Sequence, residues 1–303
     1  MMSLRISHYA LAAALVAASP ARAQLDLLDD TRASSVTVPA GVEVLHDLHY
    51  GSATLETLDV YRPARAANAP VFVMVHGGGW RLGDKAMGRM VDSKIARWAP
   101  RGIVFVSIDY GLLPATPVTR QVDDIAQALA YVQRHAADWG GDPKKIVLMG
   151  HSAGAHLVDV LAADPARARA AGAQPWLGTV SLDSAAIDVP AIMKRHHMRL
   201  YDAAFGGDAA QWKALSPIDL VAAPAPPMLA VCSTLRPDDS CGASHRFAAR
   251  AEAAGTHVRV LEEALTHGEI NFTLGNPGAY TDAVEAFLAS LDPAIARLLE
   301  PRR

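Results

Sequence analysis

The sequence predicts an α/β domain built on a mostly parallel, twisted sheet. Three observations carry that reading. Short runs of consecutive apolar residues recur along the chain, and segments of helical periodicity fall between them. The runs lack the alternation of half-exposed strands, so they suit strands buried on both faces of a sheet. The chain has 303 residues, 51% of them hydrophobic, enough for one large domain with a buried core.

The first segment stands apart from that domain. Tyr9 to Ser19 is apolar, and Ala21-Arg22-Ala23 places small residues at the spacing a signal peptidase reads. Residues 1–23 therefore read as a cleaved secretory signal peptide, leaving 24–303 as the domain. The apolar run is too short to span a bilayer, so no stable membrane insertion is expected. Gly41 to Gly51 and Thr54 to Val60 alternate apolar with polar, as an antiparallel strand pair does. Pro70 to Val75, Gly102 to Ile108, Lys145 to Met149 and Met228 to Cys232 read as buried strands, and Val258 to Leu261 reads as the last strand. Between Gln121 and Ala137, Val122, Ile125, Leu129 and Val132 share one helical face. Ala163 to Ala173 reads as an exposed helix end and a loop. Strand–helix alternation of this kind argues for a doubly wound sheet. About residues 188–226 break the rhythm. They read as a helical insertion covering one end of the sheet, a lid that shapes a pocket; the alternative is a surface elaboration without a role. The net charge of −3 gives no electrostatic reason to expect nucleic acid or an anionic membrane as partner, and the sequence sets no oligomeric state.

Chemistry concentrates in three stretches. Gly150-His-Ser-Ala-Gly154 lies between a strand and the helix-like AHLVDVLAA. A G-x-S-x-G in that setting is a nucleophile elbow, with Ser152 presented beside a helix N-terminus. Upstream, a buried strand runs into His76-Gly-Gly-Gly-Trp80. Glycines leave the backbone bare, so its N–H groups can point at a carbonyl oxygen. Of 12 histidines, only His267 follows the last strand and sits in a short polar loop, which makes it the candidate base. The acid is expected between Ser152 and His267 in chain order, at the end of a strand. Candidates are Asp238 and Asp239, after the strand ending at Cys232, and Asp183, after Val180.

These pieces resemble the α/β-hydrolase fold, in the hormone-sensitive-lipase-like esterase clan. Leu58-Asp-Val-Tyr-Arg-Pro63, the HGGGW stretch, Asp109-Tyr110, Gly140-Gly-Asp-Pro143, Gly150-His-Ser-Ala-Gly-Ala-His156 and Ser216-Pro217 all fit, across roughly residues 42–290. GHSAGAH is similar to bacterial feruloyl-esterase-like and arylformamidase-like members. The resemblance implies about eight strands, Ser152 as nucleophile, His267 as base, and oxyanion donors at Gly78, Gly79 and Ala153. It implies hydrolysis of a small-molecule ester, with short acyl or aryl groups, through an acyl-enzyme, with no metal or organic cofactor. An arylformamidase-type amide hydrolase and a non-catalytic binding protein on the same fold are the alternatives. Two departures stand out: Asp109-Tyr-Gly-Leu-Leu-Pro114 lacks the clan's usual arginine, and CSTLRPDDSC replaces its glycine-containing acid loop.

That last stretch holds the only two cysteines, Cys232 and Cys241. In an exported protein they are expected to pair, stiffening the loop between them; the alternative is two unpaired buried thiols. Asp239, nearer the Cys241 anchor, is the expected acid. Asp238, directly after Pro237, reads as a solvated turn residue, and Asp183 belongs to an earlier strand.

Overall fold

The computed structural model describes residues 35–221 and 225–300; the expected signal peptide lies outside them. Among the described residues, eight strands form one sheet. They are β1 (Val42–His49), β2 (Thr57–Pro63), β3 (Ala69–Val75), β4 (Val104–Ile108), β5 (Gly141–His151), β6 (Gly178–Leu182), β7 (Met228–Ser233) and β8 (Val258–Glu263). Their spatial order is β1-β2-β4-β3-β5-β6-β7-β8. The first two strands form the antiparallel pair that their alternation predicts, and β2 also runs antiparallel to β4. All remaining pairings are parallel.

Helices cover both faces. Along the chain they are α1 (Gly88–Trp98), α2 (Val118–His135), α3 (Ala153–Ala163), α4 (Pro165–Ala170), α5 (Val189–Met193), α6 (Arg199–Phe205), α7 (Ala209–Ala214), α8 (Pro217–Leu220), α9 (Ser240–Ala253), α10 (His267–Phe272), α11 (Ala279–Leu291) and α12 (Pro293–Leu299). Strand β3 shows why its residues are all apolar. Val71, Val73 and Val75 enter one core with Ile125 and Leu129 of α2 and Leu157 of α3. Phe72 and Met74 enter the other core with Ile95 and Trp98 of α1 and Phe287 of α11. A period of two with a core on each side leaves no polar face.

Two local differences from the sequence reading have plain causes. The stretch after α3 is a short helix, α4, because Asp164 accepts a hydrogen bond from Ala166 N and Pro165 occupies the first turn. His267 is not in a loop but opens α10. Thr266 and Glu269 form a reciprocal capping box there, a pattern legible as T-x-x-E.

Helix α10 is clamped from below by α1. Lys94 is fully buried, and its Nζ donates to Met90 O at 3.0 Å, Asn271 O at 2.6 Å and Asn271 Oδ1 at 2.8 Å. Burial pulls its pKa down to about 7. Three oxygens nevertheless match the three N–H bonds of a protonated amine. Lys94→Met keeps the apolar stem but orphans those oxygens. Urea unfolding at pH 7 is expected to show a loss of at least about 1–3 kcal/mol; an unchanged midpoint would mean that the clamp contributes nothing.

Candidate active site

Ser152 sits between β5 and α3 with φ 55° and ψ −116°, a strained conformation for a residue with a side chain. The turn is packed so closely that only glycine fits beside it. A Cβ on Gly154 would lie 2.3 Å from His76 O. Backbone bonds tie the turn to the end of β6: Ser152 N donates to Leu182 O at 3.1 Å, and Ala185 N donates to Ser152 O at 3.0 Å. The serine is 3% exposed.

His267 lies against that serine. Its Nε2 is 2.9 Å from Ser152 Oγ, and its Nδ1 is 2.6 Å from Asp183 Oδ2. A carboxylate only accepts, so Nδ1 carries the hydrogen and Nε2 is free to accept from the serine hydroxyl. Asp183 stands just past β6 and is 0% exposed. Its Oδ1 accepts from Ser233 N at 3.0 Å, and Arg236 Nη1 is 3.2 Å from Oδ2. Burial pushes the Asp183 pKa up, but the Arg236 charge, the His267 contact and the Ser233 N–H outweigh it. The net effect holds the carboxyl well below the usual range.

The aspartate opposite His267 is thus Asp183, not the expected Asp239. Asp239 adopts a left-handed conformation ahead of α9; its side chain is 64% exposed and meets Arg246 Nη1 at 3.2 Å. The reason lies in strand order. Strand β6 is hydrogen-bonded to β5, so its end falls beside the serine, whereas β7 is one strand further out. The loop after β7 acts one step back. It supplies Ser233 and Arg236 to Asp183, and Asp238 holds Arg236 through two bonds, Nε–Oδ1 at 2.9 Å and Nη2–Oδ2 at 2.6 Å. Cys232 and Cys241 do pair across this loop, with Cα atoms 5.2 Å apart. Neither Ser233 nor Arg236 emerged from the sequence, since their role depends on which strands are neighbours.

The HGGGW loop faces the serine from β3. A Cβ on Gly77 would stand 3.0 Å from Ser152 Cβ, so the loop touches the serine just before Gly78 and Gly79. Gly78 has φ 110°, and a Cβ there would sit 2.1 Å from Leu82 O; no side chain is tolerated. Gly78 O accepts from Leu82 N at 2.9 Å, which closes the turn. Ala153 opens α3 directly after the serine, so its N–H belongs to the helix N-terminus. His76 Nδ1 donates to Gly77 O at 2.7 Å, and its ring stacks on Tyr110 at 4.5 Å.

Trp80 fastens the loop from the other side. Its Nε1 donates to His156 Nδ1 at 3.2 Å, and His156 Nε2 donates to Leu215 O at 2.7 Å. That chain permits one neutral tautomer only. The Trp80 ring also meets Phe205 at 5.1 Å and Tyr201 at 5.9 Å. The glycine loop and the helical segment α5–α8 are therefore one packed unit. Among the described residues, no three His, Cys, Asp or Glu side chains group as ligands for a metal ion.

Comparison with known proteins bears on this site. The BD-FAE family matches residues 58–238. Carboxylesterase NlhH of Mycobacterium tuberculosis is 30% identical over 259 residues, covering 77% of this chain and 76% of that protein. A probable isoprenylcysteine alpha-carbonyl methylesterase, ICMEL1 of Oryza sativa subsp. japonica, is 37% identical over 116 residues. That match spans only 27% of the plant protein. Among solved structures, Thermogutta terrifontis esterase 2 superposes with a TM-score of 0.67 at 26% identity, covering 87% of this chain and 97% of that one. The same esterase is known with butyrate bound. The architecture is the α/β-hydrolase fold.

The His156 tautomer chain generates a pH prediction. Burial lowers the His156 pKa from 6.5 to about 4. As pH falls below the ordinary histidine value, the unfolded chain takes up a proton that the folded one refuses. Stability therefore drops between about pH 6.5 and 4, by roughly 3 kcal/mol over the full window. The stability difference between the parent chain and His156→Gln is expected to shrink by about 2–3 kcal/mol between pH 7 and pH 4.5. Parallel pH curves for the two proteins would remove His156 from this role.

Proposed function

We propose that this chain, which belongs to the BD-FAE family, is a serine ester hydrolase whose nucleophile, base and acid are Ser152, His267 and Asp183. The unbroken hydrogen-bond chain from buried Asp183 through His267 to Ser152 Oγ carries the proposal. His267 Nε2 takes the Oγ proton as Ser152 attacks the acyl carbonyl. Asp183 keeps the ring in the tautomer that accepts and balances the charge of the imidazolium. The N–H groups of Gly78, Gly79 and Ala153 receive the oxyanion. The imidazolium then protonates the leaving alcohol, and a water activated by His267 releases the acid from the acyl-serine.

The substrates are esters with short acyl chains. A carboxylesterase among the relatives and the butyrate-bound esterase among the similar structures support this class. The segment of about residues 188–226 acts as a lid beside Ser152, and the packing of Tyr201 and Phe205 in α6 on Trp80 makes α6 a wall more than a flap. The protein is exported to the periplasm or beyond, its first 23 residues serving as the signal. The Cys232–Cys241 disulfide fits an oxidising compartment.

Ser152→Ala is expected to abolish turnover of p-nitrophenyl acetate and butyrate without unfolding. A fluorophosphonate should label Ser152 of the parent chain only; labelling elsewhere would displace the nucleophile. Rates across a p-nitrophenyl series should fall as the acyl chain lengthens, and a preference for long chains or for formamides would redirect the substrate class.

The acid is tested by comparing two variants. Asp183→Asn is expected to lower kcat by about 10³–10⁴-fold, since an amide neither fixes the tautomer nor balances the imidazolium. Asp239→Asn, which removes the same charge at an exposed site, is expected to change kcat less than about twofold. The reverse order would restore Asp239 to the site.

A further inference from the structure

We infer that His151, the side chain immediately before the nucleophile, is a positioning residue that holds the base His267 in register with the elbow. The inference rests on the reading of Ser152 and His267 as nucleophile and base. His151 is 1% exposed, and its Nε2 is 3.0 Å from the backbone carbonyl oxygen of His267. A carbonyl only accepts, so Nε2 carries the hydrogen and donates it. The two imidazole rings lie 4.7 Å apart at 36°. This bond joins the last residue of β5 directly to α10, next to the Ser152–His267 contact.

That distinction matters during turnover. Once Ser152 Oγ is acylated, its hydrogen is gone and the Ser–His bond with it. His267 must still stay in reach of the leaving alcohol and then of the attacking water. Asp183 fixes the ring from the far side, and the capping box and Lys94 fix the helix on which it stands. Asp183 refers the base to the elbow at one remove, through the backbone bonds of Leu182 and Ala185 to Ser152. The His151 bond does so directly, and acylation does not touch it. The ring can also sit beside the imidazolium without repulsion. Burial and the neighbouring His267 hold the His151 pKa well below the ordinary value, so it stays neutral. Its Nδ1 has no partner and lies beside Gly77, where a Cβ would stand 3.1 Å away. The ring thus fills the space between base and glycine loop.

The test separates donation from filling. His151→Leu fills much of the volume without a donor, and His151→Gln restores an N–H at similar reach. For p-nitrophenyl butyrate, His151→Leu is expected to lower kcat by about 10–100-fold, the size of effect a misplaced catalytic group produces. Its KM should stay within about threefold, and His151→Gln should recover kcat to within about fivefold of the parent. Should the leucine variant not fold, His151→Met takes its place. A leucine or methionine variant with parental kcat overturns the inference, as does a glutamine variant that falls equally far. Failure of the underlying reading looks different: the parent chain would then take no fluorophosphonate at Ser152.

Discussion

The charge of Asp183 is the constraint around which this site is built. A carboxylate at zero exposure costs several kcal/mol unless its lone pairs are matched. Here His267, Ser233 N–H and Arg236 match them. Arg236 brings a second buried charge, which Asp238 and the carbonyls of Asp183 and Ser184 hold in turn. Remove the loop after β7 and the aspartate stands alone in a low-dielectric interior. The disulfide closes that loop at both ends, so it stabilises the surroundings of the acid and not the acid's own backbone. A loop cross-link of this size is worth about 2–3 kcal/mol on the chain-entropy model. The local effect is larger in consequence, since Arg236 has to stay within reach of a charge that water cannot screen.

The glycine loop depends on a similar device on the other side of β5. Lys85 enters a cluster of acids, its Nζ 2.8 Å from Asp47 and 3.4 Å from Asp109, while its own N–H donates to Asp109 at 2.6 Å. Asp109 also lies 3.5 Å from His76 Nε2. A loop of three consecutive glycines has little intrinsic stiffness. Its order is imposed from outside, by a partly buried ionic cluster behind His76 and by an aromatic contact in front of Trp80.

These dependencies explain what the sequence disclosed. Ser152, the HGGGW loop and His267 were legible because each is a local pattern: a strand, a glycine-bounded turn, a helix start. The buried strands were legible because both faces of the sheet are covered and apolar residues run without a break. Asp183 against Asp239 was not decidable in this way. Both follow an apolar strand, and only the spatial order β5-β6-β7 ranks them. Proximity to an anchoring cysteine misled, because the anchored loop supports the site from one layer out. The helical start at His267 was available in Thr266 and Glu269, a capping pair that the polar composition masked.

The heptapeptide Gly150 to His156 then shows how much one turn coordinates. Ser152 faces His267. His151, one residue earlier, bonds to the backbone of His267, and His156, four residues later, accepts from Trp80 and donates to Leu215. The elbow therefore has a separate hydrogen bond to each of the three surrounding parts: α10, the glycine loop and the helical segment before β7. Its backbone admits no slack, since Gly154 has no room for a side chain and Ser152 sits at positive φ. A rigid turn is of use only if its neighbours are referred to it. Two histidines, each neutral and each held to one tautomer by its partners, do that without adding charge beside an imidazole that becomes charged in the proposed reaction.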